Sequence, residues 1–370
     1  LASIKGYIYT IKKKIVKALR IGNLEIAIPI IQGGMGVGIS LSGLASAVAN
    51  EGGAGIISSA GLGLLYKKFS ANYLEASIAG LKEEIRKARE KTAGVIGVNV
   101  MVAMTNFADM VKTAIAEKVE ILIAGAGLPL DMPSFLKKES KTKLIPIVSS
   151  ARAAKILCDK WKTNYNYLPD AIIVEGPKAG GHLGFKEEQI NDNNYSLERL
   201  VPEIIKELKP FEDNYGKKIP LIAAGGIYTG KDIRDIMDLG ASGVQMGTRF
   251  VTTDECDASA GFKQTYINAS ETDIEIIKSP VGMPGRAILS NFISKVKAGK
   301  KQPKTCPFKC IRTCDITKSP YCIIIALMNA LKGNFESGYA FAGANAFRAK
   351  GISTVKEVFQ SIMAEYRTSH

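Results

Sequence analysis

The sequence predicts an α/β fold, a closed (β/α)₈ barrel followed by a C-terminal cap that carries a cysteine cluster. Three observations lead there. Eight short apolar runs recur before residue 250, helical patterns separate most of them, and no dinucleotide fingerprint follows the first run.

The runs, in order, are IPIIQGG from Ile28, AGIISSAG from Ala54, VIGVNV from Val95 and ILIAGAG from Ile121. LIPIVSS from Leu144, AIIVEGP from Ala171, IPLIAAGG from Ile219 and GVQMGTRF from Gly243 follow. Continuous apolar runs rich in β-branched residues suit strands of a parallel sheet buried on both faces. After the first run, LSGLASAVANEG reads as a helix with Ser40 or Ser42 as N-cap and Gly52–Gly53 as its stop. NYLEASIAGLKEEIRKAREK precedes the third run and KDIRDIMDLGA the eighth. Strands alternating with helices argue for the barrel. The rival is an open doubly wound sheet, but the glycines of IQGGMGVG are not spaced as G-x-G-x-x-G.

Three regions are expected: a basic extension over 1–20, the barrel over 21–250, and a cap with a helical segment over 251–370. The gaps from Ser59 to Val95 and from Gly184 to Pro220 read as loops over the active-site face.

The net charge of +14 reads either as a solvated, lysine-rich surface or as a face for an acidic partner. Nucleic acid is disfavoured, because no basic run is interleaved with aromatics; an acidic carrier protein stays open. No apolar run reaches the ~18 residues of a membrane span. The basic N-terminus lacks the apolar core and cleavage site of a signal peptide. The expectation is a soluble cytoplasmic protein, with a homodimer left open.

Two glycine-rich strand ends, AAGGI at Ala223–Ile227 and MGTRF at Met246–Phe250, stand where such barrels bind phosphate. Gly225, Gly226, Gly247 and Thr248 let an anion approach the main chain, with Met246 at the strand end. Gly33 and Gly34 in QGGMG permit a flat ligand to lie against backbone, and Asn99 can meet a ring edge. His182, one of two histidines, follows the sixth run in EGPKAGGHLGF, which places a group titrating near neutral pH on the catalytic face. Cys306-x₃-Cys310-x₃-Cys314-x₇-Cys322 offers four thiolates within 17 residues. In a cytosolic chain this argues for metal over disulfides, zinc or iron–sulfur.

The motifs IPIIQGGMG, GVNV, EGPKAGGHLGF, IPLIAAGGI and GVQMGTRF, in that order, resemble the nitronate monooxygenase family, which includes flavin-dependent enoyl-acyl-carrier-protein reductases. The resemblance spans roughly residues 20 to 365. It implies a TIM barrel with non-covalent FMN lined by Gly34, Met35, Asn99, Gly180, Gly181, Gly226, Gly247 and Thr248, and catalysis by His182. KSPVGMPGRAI, the cysteine set and FAGANAFR are most similar to the family's decanoyl-acyl-carrier-protein dehydrogenase/isomerase branch, which carries FMN and a [4Fe–4S] cluster. That branch implies an acyl-carrier-protein thioester substrate, with His182 as general base for dehydrogenation and double-bond isomerisation. The alternatives are nitronate oxidation, NAD(P)H-dependent enoyl reduction, and a flavin or iron–sulfur redox sensor without turnover.

Overall fold

The structure, a computed structural model, describes residues 16–299, 303, 305, 306 and 308–369. Most of the expected N-terminal extension, and Lys304 beside the cysteines, lie outside the described residues.

All eight apolar runs are strands: β1 (Ile30–Gln32), β2 (Ala54–Ser58), β3 (Val95–Met101), β4 (Ile121–Gly125), β5 (Lys143–Val148), β6 (Ile172–Glu175), β7 (Leu221–Ala224) and β8 (Gly243–Met246). They pair in parallel and in sequence, and β8 returns to β1 through Val244↔Ile30, so the barrel is closed. The apolar runs are continuous because both faces are buried. Ile56, Ile123 and Ile173 fill the interior, while Ile57, Leu122 and Ile172 pack outward against helices. A hairpin of Leu19–Ile21 and Leu24–Ile26 adds Leu19, Ile21 and Ile26 to the interior cluster. The barrel unit therefore begins before residue 21, because this hairpin buries its apolar side chains among the strands.

The outer layer holds α1 (Ser42–Asn50), α2 (Tyr73–Lys91), α3 (Phe107–Ala116), α4 (Ala151–Tyr165), α5 (Leu197–Tyr215) and α6 (Gly230–Asp238). After β4 only a 3₁₀ turn, Met132–Phe135, stands in the helix position. Neither Ser40 nor Ser42 is the N-cap of α1. Leu41 occupies that position, and Asp257 accepts from the N–H groups of Leu41, Gly43 and Leu44 at 2.7, 3.1 and 3.1 Å. A carboxylate there satisfies donors that a helix start leaves unpaired. The two long gaps are not mainly loops, since α2 and α5 occupy most of them.

The boundary expected at Phe250 also moves. The rest of the chain forms α7 (Ala260–Asn268), a hairpin of β9 (Ile274–Lys278) and β10 (Pro284–Ile288), α8 (Asn291–Lys297), α9 (Ile323–Leu331) and α10 (Val355–Thr368). Helix α10 buries Val355, Val358, Phe359 and Ile362 and packs against both α6 and α1. It fills the eighth helical position of the ring. The cap is thus an insertion between β8 and the last barrel helix, bounded roughly by Thr252 and Thr354, and not a separate C-terminal unit.

Candidate active site

At the C-terminal ends of the strands lies a cavity of about 270 Å³. Every residue expected around the cofactor lines it: Gly33, Gly34, Met35 and Asn99 on one side, Gly180, Gly181 and His182 after β6, and Gly225, Gly226, Met246, Gly247 and Thr248 after β7 and β8. The glycines are there because side chains do not fit. A Cβ on Gly34 would stand 2.3 Å from Cβ of Asn99, and one on Gly180 would stand 2.5 Å from the carbonyl carbon of Ala342. Gly225 and Gly226 hold φ of 99° and 87°, a region that favours glycine. Such a lining lets a flat ring and a phosphate reach the main chain.

The inserted segment supplies the rest of the wall. Phe341, Ala342 and Gly343 line the cavity, and Asn345 Nδ2 donates to the Gly226 carbonyl at 2.6 Å. FAGANAFR is therefore a strap across the glycine-rich loops after β7 and β8, a role its sequence did not disclose. Gln32 is fully buried and does not line the cavity, its Oε1 accepting from Ile56 N–H at 3.1 Å.

His182 is held from several directions. Gly181 and His182 pair antiparallel with Gly285 and Arg286 of β10. The Arg286 guanidinium donates to the carbonyls of Pro177 and Ala179 at 2.8 and 3.2 Å, which fixes the loop that leads to the histidine. The imidazole meets Phe341 edge-on, with ring centroids 4.9 Å apart. Its Nε2 lies 2.7 Å from Ser279 Oγ. Burial lowers its pKa from 6.5 to about 4, so the ring is neutral at pH 7.

Glu175, which the sequence reading passed over, ends β6, is half-buried and lines the cavity. Burial raises its carboxyl from 4.5 to about 8. Strand alternation carried a signal for it. Ile173 points into the barrel, and a residue two further on the same strand points the same way.

The four cysteines come together elsewhere. Cys306, Cys310, Cys314 and Cys322 line a second cavity of about 460 Å³. Burial pushes the Cys310 thiol up to about 12, and its three cysteine neighbours add to the shift. Among the described residues no group of His, Cys, Asp or Glu is arranged to hold a single metal ion. This loop is stitched to the one after β3: Thr105 N–H donates to the Cys310 carbonyl at 3.2 Å, and Arg312 N–H to Ala103 at 2.9 Å. Val37 lines the first cavity and shares a buried apolar cluster with Cys310 and Ile324.

A closed barrel with a glycine-lined cavity at its strand ends and a half-buried histidine in the lining is the architecture of a barrel enzyme. The chain belongs to the nitronate monooxygenase family, whose model matches residues 17–365. It is an oxidoreductase of the flavin type that this family represents. A probable nitronate monooxygenase of Staphylococcus aureus is 29% identical over 309 residues, covering 74% of this chain and 78% of its own. A Mycobacterium tuberculosis protein named as an octahydro-indene-carboxyl-CoA dehydrogenase is 28% identical over 273 residues, covering 74% of this chain and 66% of its own length. The structure of FabK from Thermotoga maritima superposes with a TM-score of 0.71 at 29% identity, covering 92% of this chain and 93% of that one. Among the described residues no helix is long and apolar enough to cross a membrane.

Proposed function

We propose that the protein is an FMN-dependent oxidoreductase of acyl-carrier-protein thioesters, which dehydrogenates the acyl chain and shifts the resulting double bond, and that it holds a [4Fe–4S] cluster. The observation that carries this reading is a pair of cavities joined through one buried cluster, in which Val37 of the first packs with Cys310 of the second. One suits a flavin and the other is ringed by four thiols.

The residues fit both groups. Gly226, Gly247 and Thr248 would hold the FMN phosphate, Gly33, Gly34 and Met35 would face the ring, and Asn99 its edge. Cys306, Cys310, Cys314 and Cys322 would ligate the cluster. Four cysteines lining one cavity of about 460 Å³ leave room for a body larger than a single zinc ion, whose four sulfurs would stand about 2.3 Å from one centre. FMN supplies hydride transfer, and an iron–sulfur cluster carries single electrons away.

His182 acts on the proton. Neutral at working pH, it takes the α-proton as hydride leaves the β-carbon and releases that proton to solvent; to shift the double bond it then takes a γ-proton and delivers a proton to the α-carbon. Glu175, held neutral, is a hydrogen-bond donor to whatever fills the cavity. Lys309 and Arg312 are exposed beside the cysteines and face an acidic carrier.

The relatives' names favour a second reading, nitronate oxidation, with His182 deprotonating a nitroalkane. The FabK likeness favours a third, enoyl-thioester reduction. Neither gives the cysteine ring a task. Purified protein is to be assayed with decanoyl-carrier thioester, with enoyl thioester plus NADH, and with a nitronate. Turnover of the last alone overturns the proposal. Iron and acid-labile sulfide should accompany the flavin; zinc without sulfide removes the cluster and leaves the FMN reading intact.

A further inference from the structure

The contact between Ser279 and His182 has a chemical consequence. Ser279 sits at the end of β9, is 5% exposed and lies outside the cavity lining. Its Oγ receives the Val281 N–H at 3.3 Å and stands 2.7 Å from His182 Nε2. Its backbone N–H donates to the Met283 carbonyl at 3.3 Å, so the turn that carries it is itself tied down. The hydroxyl approaches the ring from behind, on the hairpin that already pairs with Gly181 and His182.

We propose that Ser279 is a positioning residue for proton transfer: it anchors Nε2 of His182 and leaves Nδ1 as the nitrogen that meets the substrate. The proposal rests on His182 handling a proton, as in the function proposed above. The identity of the partner matters as much as its place. A carboxylate behind a histidine stabilises the imidazolium and retains the proton. A neutral hydroxyl does not. No carboxylate hydrogen-bonds to this ring among the described residues. The charged groups nearby are Glu175 and Lys178 in the cavity and Arg286 across the strand pair. A ring that takes a proton without keeping it suits a double-bond shift, in which a proton taken from the γ-carbon must be delivered to the α-carbon.

A serine hydroxyl can accept from Nε2–H or donate to Nε2. In the first case Nδ1 carries a free lone pair and is a base. In the second it carries the hydrogen and is a donor to a thioester carbonyl. Both keep the ring anchored, so the tautomer tests the base reading separately from the anchoring.

The chain has two histidines, His182 and His370, which makes ring-nitrogen NMR of the ¹⁵N-histidine-labelled, flavin-loaded full chain simple to assign. One fixed tautomer for His182 at pH 7, turning into a mixture in Ser279→Ala, supports the proposal. A mixture already present in the native protein overturns it. If the fixed form is Nδ1–H, anchoring stands and the general-base reading fails. In kinetics, Ser279→Ala should lower kcat by about 10² with flavin affinity unchanged, as misplacement of a catalytic group does. Ser279→Asp should move the acidic limb of the pH profile upward by at least one unit. Native kcat and an unmoved pH profile in folded, flavin-loaded Ser279→Ala would overturn the assignment. A uniform loss of thermal stability and flavin affinity, with the native pH profile retained, would also overturn it, since that is what a merely structural serine gives.

Discussion

The two cavities are built in opposite ways. The one at the strand ends collects residues from Gly33 to Gly343, so it exists only when the whole barrel and the inserted strap are assembled. The cysteine cavity draws almost wholly on residues 303–323, with Thr105 from the neighbouring loop. The first is shaped by backbone, and its glycines leave room for a ligand before any ligand arrives. The second is lined by side chains of one loop, four cysteines among them, and metal binding there would be coupled to the folding of that loop. A fold-built cavity should tolerate loss of a reacting group and resist a change of shape. A locally built one should fail when a single ligand is lost.

The largest expected effect lies in the first cavity. His182→Ala should cut turnover by roughly 10²–10⁴-fold, the usual worth of a general acid or base, while FMN stays bound through the loops at Gly226 and Gly247. Flavin content and steady-state rates check this. Activity within about 10-fold of native would remove His182 from proton transfer.

Next, Gly180→Val and Cys310→Ser set the cavities against each other. The valine has no room beside Ala342 and should expel flavin, leaving iron and sulfide in place. The serine should strip iron and sulfide, leaving flavin. In the folded, FMN-loaded serine variant, substrate should bleach the flavin once under anaerobic conditions, and multiple turnovers should stop. Native turnover there would make the cysteines a structural staple. Loss of both cofactors from either variant would show that the cavities are not independent.

A smaller effect is set by pH. The Glu175 carboxyl is raised from 4.5 to about 8, so its neutral form is favoured in the fold. The stability this gives is fully present below pH 4.5 and is lost as pH rises through 8. Glu175→Gln should therefore gain on the native protein between those values in denaturant titrations; parallel curves would contradict the burial of the carboxyl. His182, lowered from 6.5 to about 4, works in the other direction: its contribution is present above 6.5 and lost as pH falls through 4.

The smallest effect is expected at the exposed rim of the cysteine loop. If Lys309 and Arg312 steer an acidic carrier, kcat/KM for the carrier thioester should fall with added salt more than for the coenzyme A thioester. Lys318 adds less, being paired with Asp315 at 3.7 Å. Equal salt responses for the two thioesters would exclude carrier docking.

The sequence by itself determined the barrel and the glycine-rich strand ends that line its cavity. Strands buried on both faces must be continuous apolar runs, and backbone that touches a ligand must be glycine, so both leave marks that no partner is needed to read. His182 was legible for the same reason, standing in a glycine-rich turn just past a strand. Only the tertiary structure decided what stands behind and across from these residues. Ser279, Arg286 and Phe341 come from the insertion after β8, more than ninety positions from His182, and no local pattern links them to it. The same holds for Asp257 at the start of α1, and for α10, whose apolar stripe does not say which barrel position it will fill. Periodicity and backbone demands are local properties of a chain, whereas hydrogen-bond partners and shared cavity walls are set by where distant segments are brought to pack.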